Sequence, residues 1–339
     1  MASIRFPTTR VSRRGFLSGT VAATVLALQG RGRVAAGPVL RGADSETAIE
    51  RIYRRLRGPV VPINIPLAKD YSVDYGNLRD YVDFLCENQA PVIFFTHGSS
   101  EFKSMSEPEI EKLCRTAAEQ ARGRALVIGG TGKWWTGKSI DFIRRLEDSG
   151  VDGINLHLFT NKPDEVYAAF AEVAGRSRLP LLGYDENFPA DLVARLSTIP
   201  GVCGLKSHDA LYRYHDFIRA VEGKKFVIVG GGQMRNFLYG YLIGSQGYLC
   251  AYAPFAPAVA FRFYRALERN DLDEARRVMF EYEDPLMKVA GGLGWGQSIK
   301  SILQIKGLFQ TNLWRPPVPS HGPEPKKQLR QFLADKGLL

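Results

Sequence analysis

Cysteine is scarce in this chain of 339 residues. Its four cysteines, Cys86, Cys114, Cys203 and Cys250, lie far apart and form no C-x-x-C pair. That sets aside a disulfide framework and a cysteine-based zinc site, and the apolar surroundings suit buried thiols. Long apolar runs are also missing. The best, Gly19 to Leu28, is too short and too rich in Gly, Ala and Thr to span a bilayer, so no stable membrane span is expected. Acidic residues are absent from positions 1–36, which hold six arginines and no Asp, Glu or Lys. Those arginines account for most of the formal net charge of +10; without them it is +4. A charge that small and scattered leaves no extended basic face, and nucleic acid is not an expected partner. What remains, 45% hydrophobic and 24% charged residues, is ordinary globular composition, enough for one large α/β barrel or two domains.

The basic start reads as an address. Ser12-Arg13-Arg14-Gly15-Phe16-Leu17 precedes the weak apolar run, and Val34-Ala35-Ala36 offers small residues for cleavage. This pattern resembles a twin-arginine export signal over residues 1–36, with a mature start near Gly37. It implies the Tat export machinery as a partner and a periplasmic or extracellular location. Cargo of that route crosses already folded. A disordered basic arm is the plainer alternative.

From Val60 onward, apolar runs and amphipathic stretches alternate. Strands are expected at 60–64, 91–96, 125–129, 152–157, 180–184, 202–206, 225–229 and 247–251. Helices are expected between them at 78–87, 107–122, 138–149, 163–173, 190–197, 212–221 and 234–243, with another at 257–269 after the last strand. Most of the strands are apolar on both faces, as parallel strands covered by helices must be. Eight such units predict an α/β protein with a closed (β/α)8 TIM barrel. The expected organisation is a linker and first helix over 37–57, the barrel over 58–270 and a C-terminal helical extension over 271–339.

Barrels of this kind carry their sites at the C-terminal ends of the strands. The sixth strand ends on Lys206, the fifth on Tyr184. A lysine desolvated there is what an amine nucleophile for carbonyl substrates requires, although strand-end lysines commonly snorkel to water. Tyr184 is placed to relay protons, or else is a core tyrosine with a satisfied hydroxyl. Gly98-Ser99-Ser100 turns into a helix near Ser106 and offers hydroxyls and N–H groups to a carboxylate or phosphate, or simply caps its own loop. Two further patterns compete. Gly132 to Ser139 fits G-x-x-x-x-G-K-[ST], but its adjacent Trp134 and Trp135 would crowd a phosphate-wrapping loop. His97, His157 and His208 fall near strand ends and could gather a metal; hydrogen-bonding pocket histidines are the commoner case.

With those residues placed, the mature chain from about Gly58 onward resembles the dihydrodipicolinate synthase and N-acetylneuraminate lyase family of class I aldolases. The anchors are Gly204-Leu205-Lys206, Tyr184-Asp185 and the run His97-Gly98-Ser99-Ser100-Glu101-Phe102, supported by Gly130-Thr131-Gly132 and Arg315-Pro316-Pro317. The resemblance implies that Lys206 forms an imine with pyruvate or a 2-oxo-3-deoxy acid, with Tyr184 as general acid/base. It also implies that Gly98, Ser99 and Ser100 hold the substrate carboxylate, and that Gly231 and Leu249 line the pocket near the imine. No metal and no added cofactor are implied, and a homodimer or tetramer is. The departures bear on substrate. Gly98 stands where the family has its first hydroxyl, and Leu158-Phe159-Thr160 where it has Pro-Tyr-Tyr, so a tyrosine that often comes from a neighbouring subunit is missing. Asp185-Glu186 follow Tyr184 where the lysine-pathway synthases carry an arginine, which disfavours that synthase. A non-catalytic exported barrel that binds 2-oxo acids is the remaining alternative.

Overall fold

Eight short strands, buried almost end to end, follow one another in chain order around a closed parallel barrel. The computed structural model describes residues 46–184, 187–207, 211–230 and 233–339. The expected export signal over 1–36, Asp185, His208 and Gly231 lie outside the described residues. The strands are β1 (Gly58–Pro62), β2 (Val92–Phe94), β3 (Leu126–Gly130), β4 (Gly153–Leu156), β5 (Leu181–Tyr184), β6 (Val202–Lys206), β7 (Val227–Gly230) and β8 (Gly247–Leu249). β1 closes the ring on β8 through Val60 and Leu249.

α1 (Ala48–Arg55) precedes the barrel, and eight helices follow its strands in turn. They are α2 (Tyr75–Glu87), α3 (Glu107–Ala121), α4 (Thr136–Leu146), α5 (Pro163–Ala174), α6 (Ala190–Leu196), α7 (Leu211–Ala220), α8 (Met234–Leu242) and α9 (Pro257–Glu268). Each expected strand and inter-strand helix is present, with ends shifted by a few residues. Among the described residues no helix is long and apolar enough to cross a membrane.

Two apolar layers hold the wall in place. Val60, Phe94, Ile128, Leu182, Cys203, Val229 and Leu249 belong to a cluster inside the ring. Their alternate neighbours, such as Val61, Ile93, Val127 and Leu205, belong to a larger cluster shared with the helices. Both faces of each strand are therefore dry, which is why the sequence showed apolar runs without alternation. Each fully buried Leu, Ile, Val or Phe contributes about 1.5–3 kcal/mol relative to exposure.

The C-terminal extension contains more than the sequence disclosed. After α10 (Leu272–Val278), a π-helical turn (Met279–Glu283) leads into α11 (Asp284–Leu293), α12 (Trp295–Ile305) and, beyond a Pro-rich loop, α13 (Pro323–Asp335). The glycine-rich run from Gly291 to Gly296 hides the α11–α12 boundary, because Gly294 breaks the helix at φ 95° and a new helix starts at once. This extension is not an appendage. Trp295, Gly296, Gln297, Trp314 and Arg315 form one wall of the cavity at the barrel mouth.

Candidate active site

A bulge decides where Lys206 points. Leu181 pairs with Val202 but Leu182 pairs with Gly204, so β6 carries one extra residue opposite β5. Bulges of this sort re-aim the residues beyond them. Past it, Lys206 lies on the same strand face as Gly204, against the inner residue Leu182. A Cβ at Gly204 would come within 2.7 Å of the Val227 carbonyl oxygen, so only glycine lets β6 lie this close to β7.

Lys206 is fully buried, opposite Tyr184 in the β5–β6 register. Its Nζ sits 4.6 Å from the centroid of the Tyr184 ring. An ammonium there meets the negative face of the phenol, and the ring excludes water from one side of the amine. The two residues expected to work together are thus brought together. Cys203, the nearest other nucleophile in the strand, is inert: burial pushes its thiol up to about 12.

Tyr184 and Leu249 line a cavity of about 420 Å³ that opens at the strand C-terminal ends. Gly98 and Ser99 line it too, and nothing stands within 4 Å of where a Gly98 Cβ would be. Ser100 behaves differently from the expectation, and its placement is a correction. It is fully buried, its hydroxyl donates to the Ile63 carbonyl at 2.9 Å and accepts the Thr96 N–H at 3.1 Å. The amides of the turn are committed as well: Ser99 N–H to Thr96 Oγ1, Ser100 N–H to the Thr96 carbonyl and Glu101 N–H to the Gly98 carbonyl. The loop therefore satisfies itself, as its polar groups must when buried. For an incoming carboxylate it presents the Ser99 hydroxyl and the Gly98 backbone.

Beneath that loop lies an ion pair the sequence reading did not assemble. Glu101, in the left-handed region at φ 56°, meets Lys300 of α12, and both side chains are excluded from water. Burial raises the Glu101 carboxyl above its ordinary range, against the pull of Lys300. Burial lowers the Lys300 ammonium, against the pull of Glu101. Lys300 also stands 5.2 Å from the Trp314 ring. A second tie runs from Arg315, which donates to the carbonyls of Tyr71 and Ser104 and grips Glu109. Glu109 meanwhile accepts the Ser106 N–H to cap α3, and Arg315 holds its carboxyl down at about 2. The C-terminal extension is thereby clamped at two points to the segment between β2 and α3.

His97 after β2, His157 after β4 and Tyr184 at the end of β5 bring their rings side by side, tilted by 42° and 31°. Among the described residues no group of three or more His, Cys, Asp and Glu converges on a point where a metal could be held. The P-loop-like stretch folds otherwise than a phosphate cradle: Trp134 packs against Gly132 and Trp135 against Gly137. Lys138 is engaged by Glu107 at 3.0 Å, and Ser139 is buried. A second cavity of about 520 Å³, lined by Tyr53, His215, Phe226, Ser245 and Gln246, lies at the strand N-terminal ends. It holds none of the groups that converge on Lys206.

Comparison with known proteins agrees with this geometry. The Dihydrodipicolinate synthetase family pattern matches residues 55–336. A probable 5-dehydro-4-deoxyglucarate dehydratase of Streptomyces coelicolor is 29% identical over 80% of this chain and 88% of its own. A DapA-like lyase of Thermococcus kodakarensis is 27% identical over 83% of this chain and 99% of its own. Among solved structures, dihydrodipicolinate synthase from Aquifex aeolicus superposes with a TM-score of 0.76 at 22% identity, over 83% of this chain and 98% of that one. N-acetylneuraminate lyase from Mycoplasma synoviae gives 0.76 at 19%, over 85% and 99%. With a closed eight-stranded barrel and a family pattern spanning it from α1 to α13, the chain belongs to the dihydrodipicolinate synthetase family of TIM-barrel lyases.

Proposed function

We propose that this protein is an exported lyase that acts on pyruvate or a 2-oxo-3-deoxy acid through an imine on Lys206. One observation carries the reading: a fully buried lysine amine, 4.6 Å from the ring of the tyrosine opposite it, which itself lines the cavity of a barrel of this family. In this reading the uncharged Lys206 amine adds to the 2-oxo carbon. Loss of water gives a protonated imine, which draws electrons from C3. Tyr184 moves the protons, first to the departing hydroxyl and then at C3. The enamine formed by loss of the C3 proton expels a C4 hydroxyl as water; in the cleavage alternative the protonated imine itself takes up the C3–C4 bond electrons as the C4 hydroxyl loses its proton, which releases an aldehyde and leaves the enamine. The protonated imine is the electron sink, so the chemistry requires no metal and no added cofactor.

The dehydratase named among the relatives favours loss of water over carbon–carbon cleavage. The Ser99 hydroxyl and Gly98 backbone would hold the substrate carboxylate, and the family resemblance assigns Leu249 and Gly231 to the pocket near the imine. Residues 1–36 would direct export by the twin-arginine route, and the family resemblance supports a homodimer or tetramer.

Borohydride trapping tests the proposal. Incubation with pyruvate and borohydride is expected to place a reduced adduct on the peptide containing Lys206, and none in Lys206→Ala. Absence of the native adduct would remove the imine mechanism. A second reading, a 2-oxo acid-binding barrel without turnover, is favoured by the internally committed amides of the Ser99–Glu101 turn. Trapping without turnover of any 2-oxo-3-deoxy sugar acid would select it. Export is tested by replacing Arg13 and Arg14 together with lysine, which should leave the protein in the cytoplasmic fraction.

A further inference from the structure

At about 420 Å³ the cavity that Tyr184 lines is of the size that encloses a drug-sized ligand, so it has room for much more than pyruvate. Its apolar surface has two sources. Pro62, Leu249 and Ala251 come from the ends of β1 and β8; Trp295, Trp314 and Val318 come from the C-terminal extension. Both tryptophans are half-buried, and Trp295 also packs on the core shared with the helices.

The Trp314 ring is built into place. A Cβ on Gly296 would come within 2.7 and 2.8 Å of two carbons of its benzo ring, so the indole occupies the room that any other residue at 296 would need. Gly296 lies in the first turn of α12, and glycine is a poor helix residue. Its backbone does not call for glycine either, since the left-handed residue of this stretch is Gly294. What Gly296 supplies is close approach of the indole. The Lys300 ammonium, fixed by Glu101, stands 5.2 Å from the ring, and the Trp314 backbone N–H donates to Ser320 Oγ at 2.9 Å.

Much of the polar wall is committed elsewhere. Thr96 Oγ1 accepts the Ser99 N–H, and the Ser104 hydroxyl donates to the Glu101 carbonyl at 2.9 Å. Glu101 is paired with Lys300, and Arg315 with Glu109. With Ser99 given to the substrate carboxylate, the described wall keeps Gln297 and the exposed Lys103 besides His97 and Tyr184. A chain of hydroxyls brought into this cavity gives up water at every oxygen, and indole, proline and leucine return nothing for it. A flat apolar group gains instead, from burial and from stacking on the rings.

We infer that the substrate carries, beyond C3, a flat apolar group such as an aryl ring, and that Trp295 and Trp314 select it. The inference rests on the imine reading, which fixes the 2-oxo end at Lys206 and leaves the rest of the molecule to this wall. The two tryptophans decide which 2-oxo acid is held, not how its bonds break.

Borohydride trapping tests this through a ratio, in which a general loss of folding or of imine formation cancels. The concentration for half-maximal trapping is measured for 2-oxo-4-phenylbutanoate and for 2-oxobutanoate, the same acid without the ring. In the native protein the phenyl acid is expected to require about tenfold less. Trp314→Ala is expected to bring the two acids to within about twofold of each other, whereas Trp314→Phe, which keeps an aromatic face, should retain a preference of about fivefold. Trp295→Ala is expected to lower the preference about threefold. The polyhydroxylated 2-oxo-3-deoxygluconate is expected to trap no more tightly than 2-oxobutanoate. A native preference for the phenyl acid below about twofold overturns the inference, as does tighter trapping of the sugar acid than of the phenyl acid. A native preference that survives both alanine substitutions overturns the role of the tryptophans. Native protein that traps neither these acids nor pyruvate would instead remove the imine reading beneath it.

Discussion

Removing Lys300 isolates a carboxylate in the interior. Lys300 is fully buried and its partner Glu101 is 1% exposed, so neither gains screening from water. In Lys300→Met the methionine fills much of the space, and the loss is electrostatic. Taking one member from such a pair costs about 3–5 kcal/mol, because the remaining charge keeps its desolvation without its partner. Lys300→Met combined with Glu101→Gln removes both charges and should recover most of that loss, to within about 1–2 kcal/mol of native. The sign of the pH dependence follows. Burial already raises the Glu101 carboxyl, and losing Lys300 raises it further. The folded variant then holds a proton that the unfolded chain has released, so its stability falls as pH rises from the unfolded carboxylate value of about 4.3 toward the raised value. The deficit of Lys300→Met relative to native should therefore be smaller at pH 5 than at pH 8. Urea unfolding at both pH values, for native, single and double variants, measures each quantity. A single-variant cost below about 1 kcal/mol, or a double variant no more stable than the single, would refute the reasoning.

Ser99→Ala should raise the pyruvate concentration needed for half-maximal trapping about tenfold with little loss of stability. Ser100→Ala should instead cost about 1–3 kcal/mol in urea unfolding, because the Thr96 N–H loses its buried acceptor. Gly204→Ala presses a methyl group on the Val227 carbonyl and should lose about 1–3 kcal/mol, seen as a lowered urea midpoint. Glu109, held at about 2 by Arg315, contributes stability that is complete above the unfolded value of about 4.3 and lost as pH falls toward 2. In Glu109→Gln that stretch of the stability–pH curve should flatten, as followed by urea unfolding between pH 2.5 and 6 at intervals of about half a unit.

The barrel was legible because each strand is dry on both faces and each helix is apolar on one, patterns that survive in the bare order of residues. The placement of Lys206 and Tyr184 side by side at strand ends was legible for the same reason: they end apolar runs, and a polar group at such a place stands out. Ser100 was misread because its type and spacing suit a substrate hydroxyl equally well. Only the direction of its side chain, toward Ile63 and Thr96, assigns it to the loop. The Glu101–Lys300 pair could not be read at all. Its members lie far apart in sequence, and a lysine amid the apolar residues of α12 looks like an ordinary helix lysine until the fold closes over it. The bulge in β6 was equally silent, since Val202 to Lys206 reads as a plain apolar strand. The helix break at Gly294 resembled a loop because glycine at positive φ and glycine in a flexible linker are the same letter.

The wall that α12 and the Arg315 loop give to the cavity has a consequence for biogenesis. The lysine of β6 and the whole ring through β8 leave the ribosome before Trp295, Gln297, Trp314 and Arg315 do. At about 5–20 residues per second, the last stretch of the chain follows some seconds later. In that interval all eight strands have been made, but one side of the mouth has not. The cavity is complete only as synthesis ends. Damage confined to the tail would then open the cavity on that side and strip residues from the core the helices share.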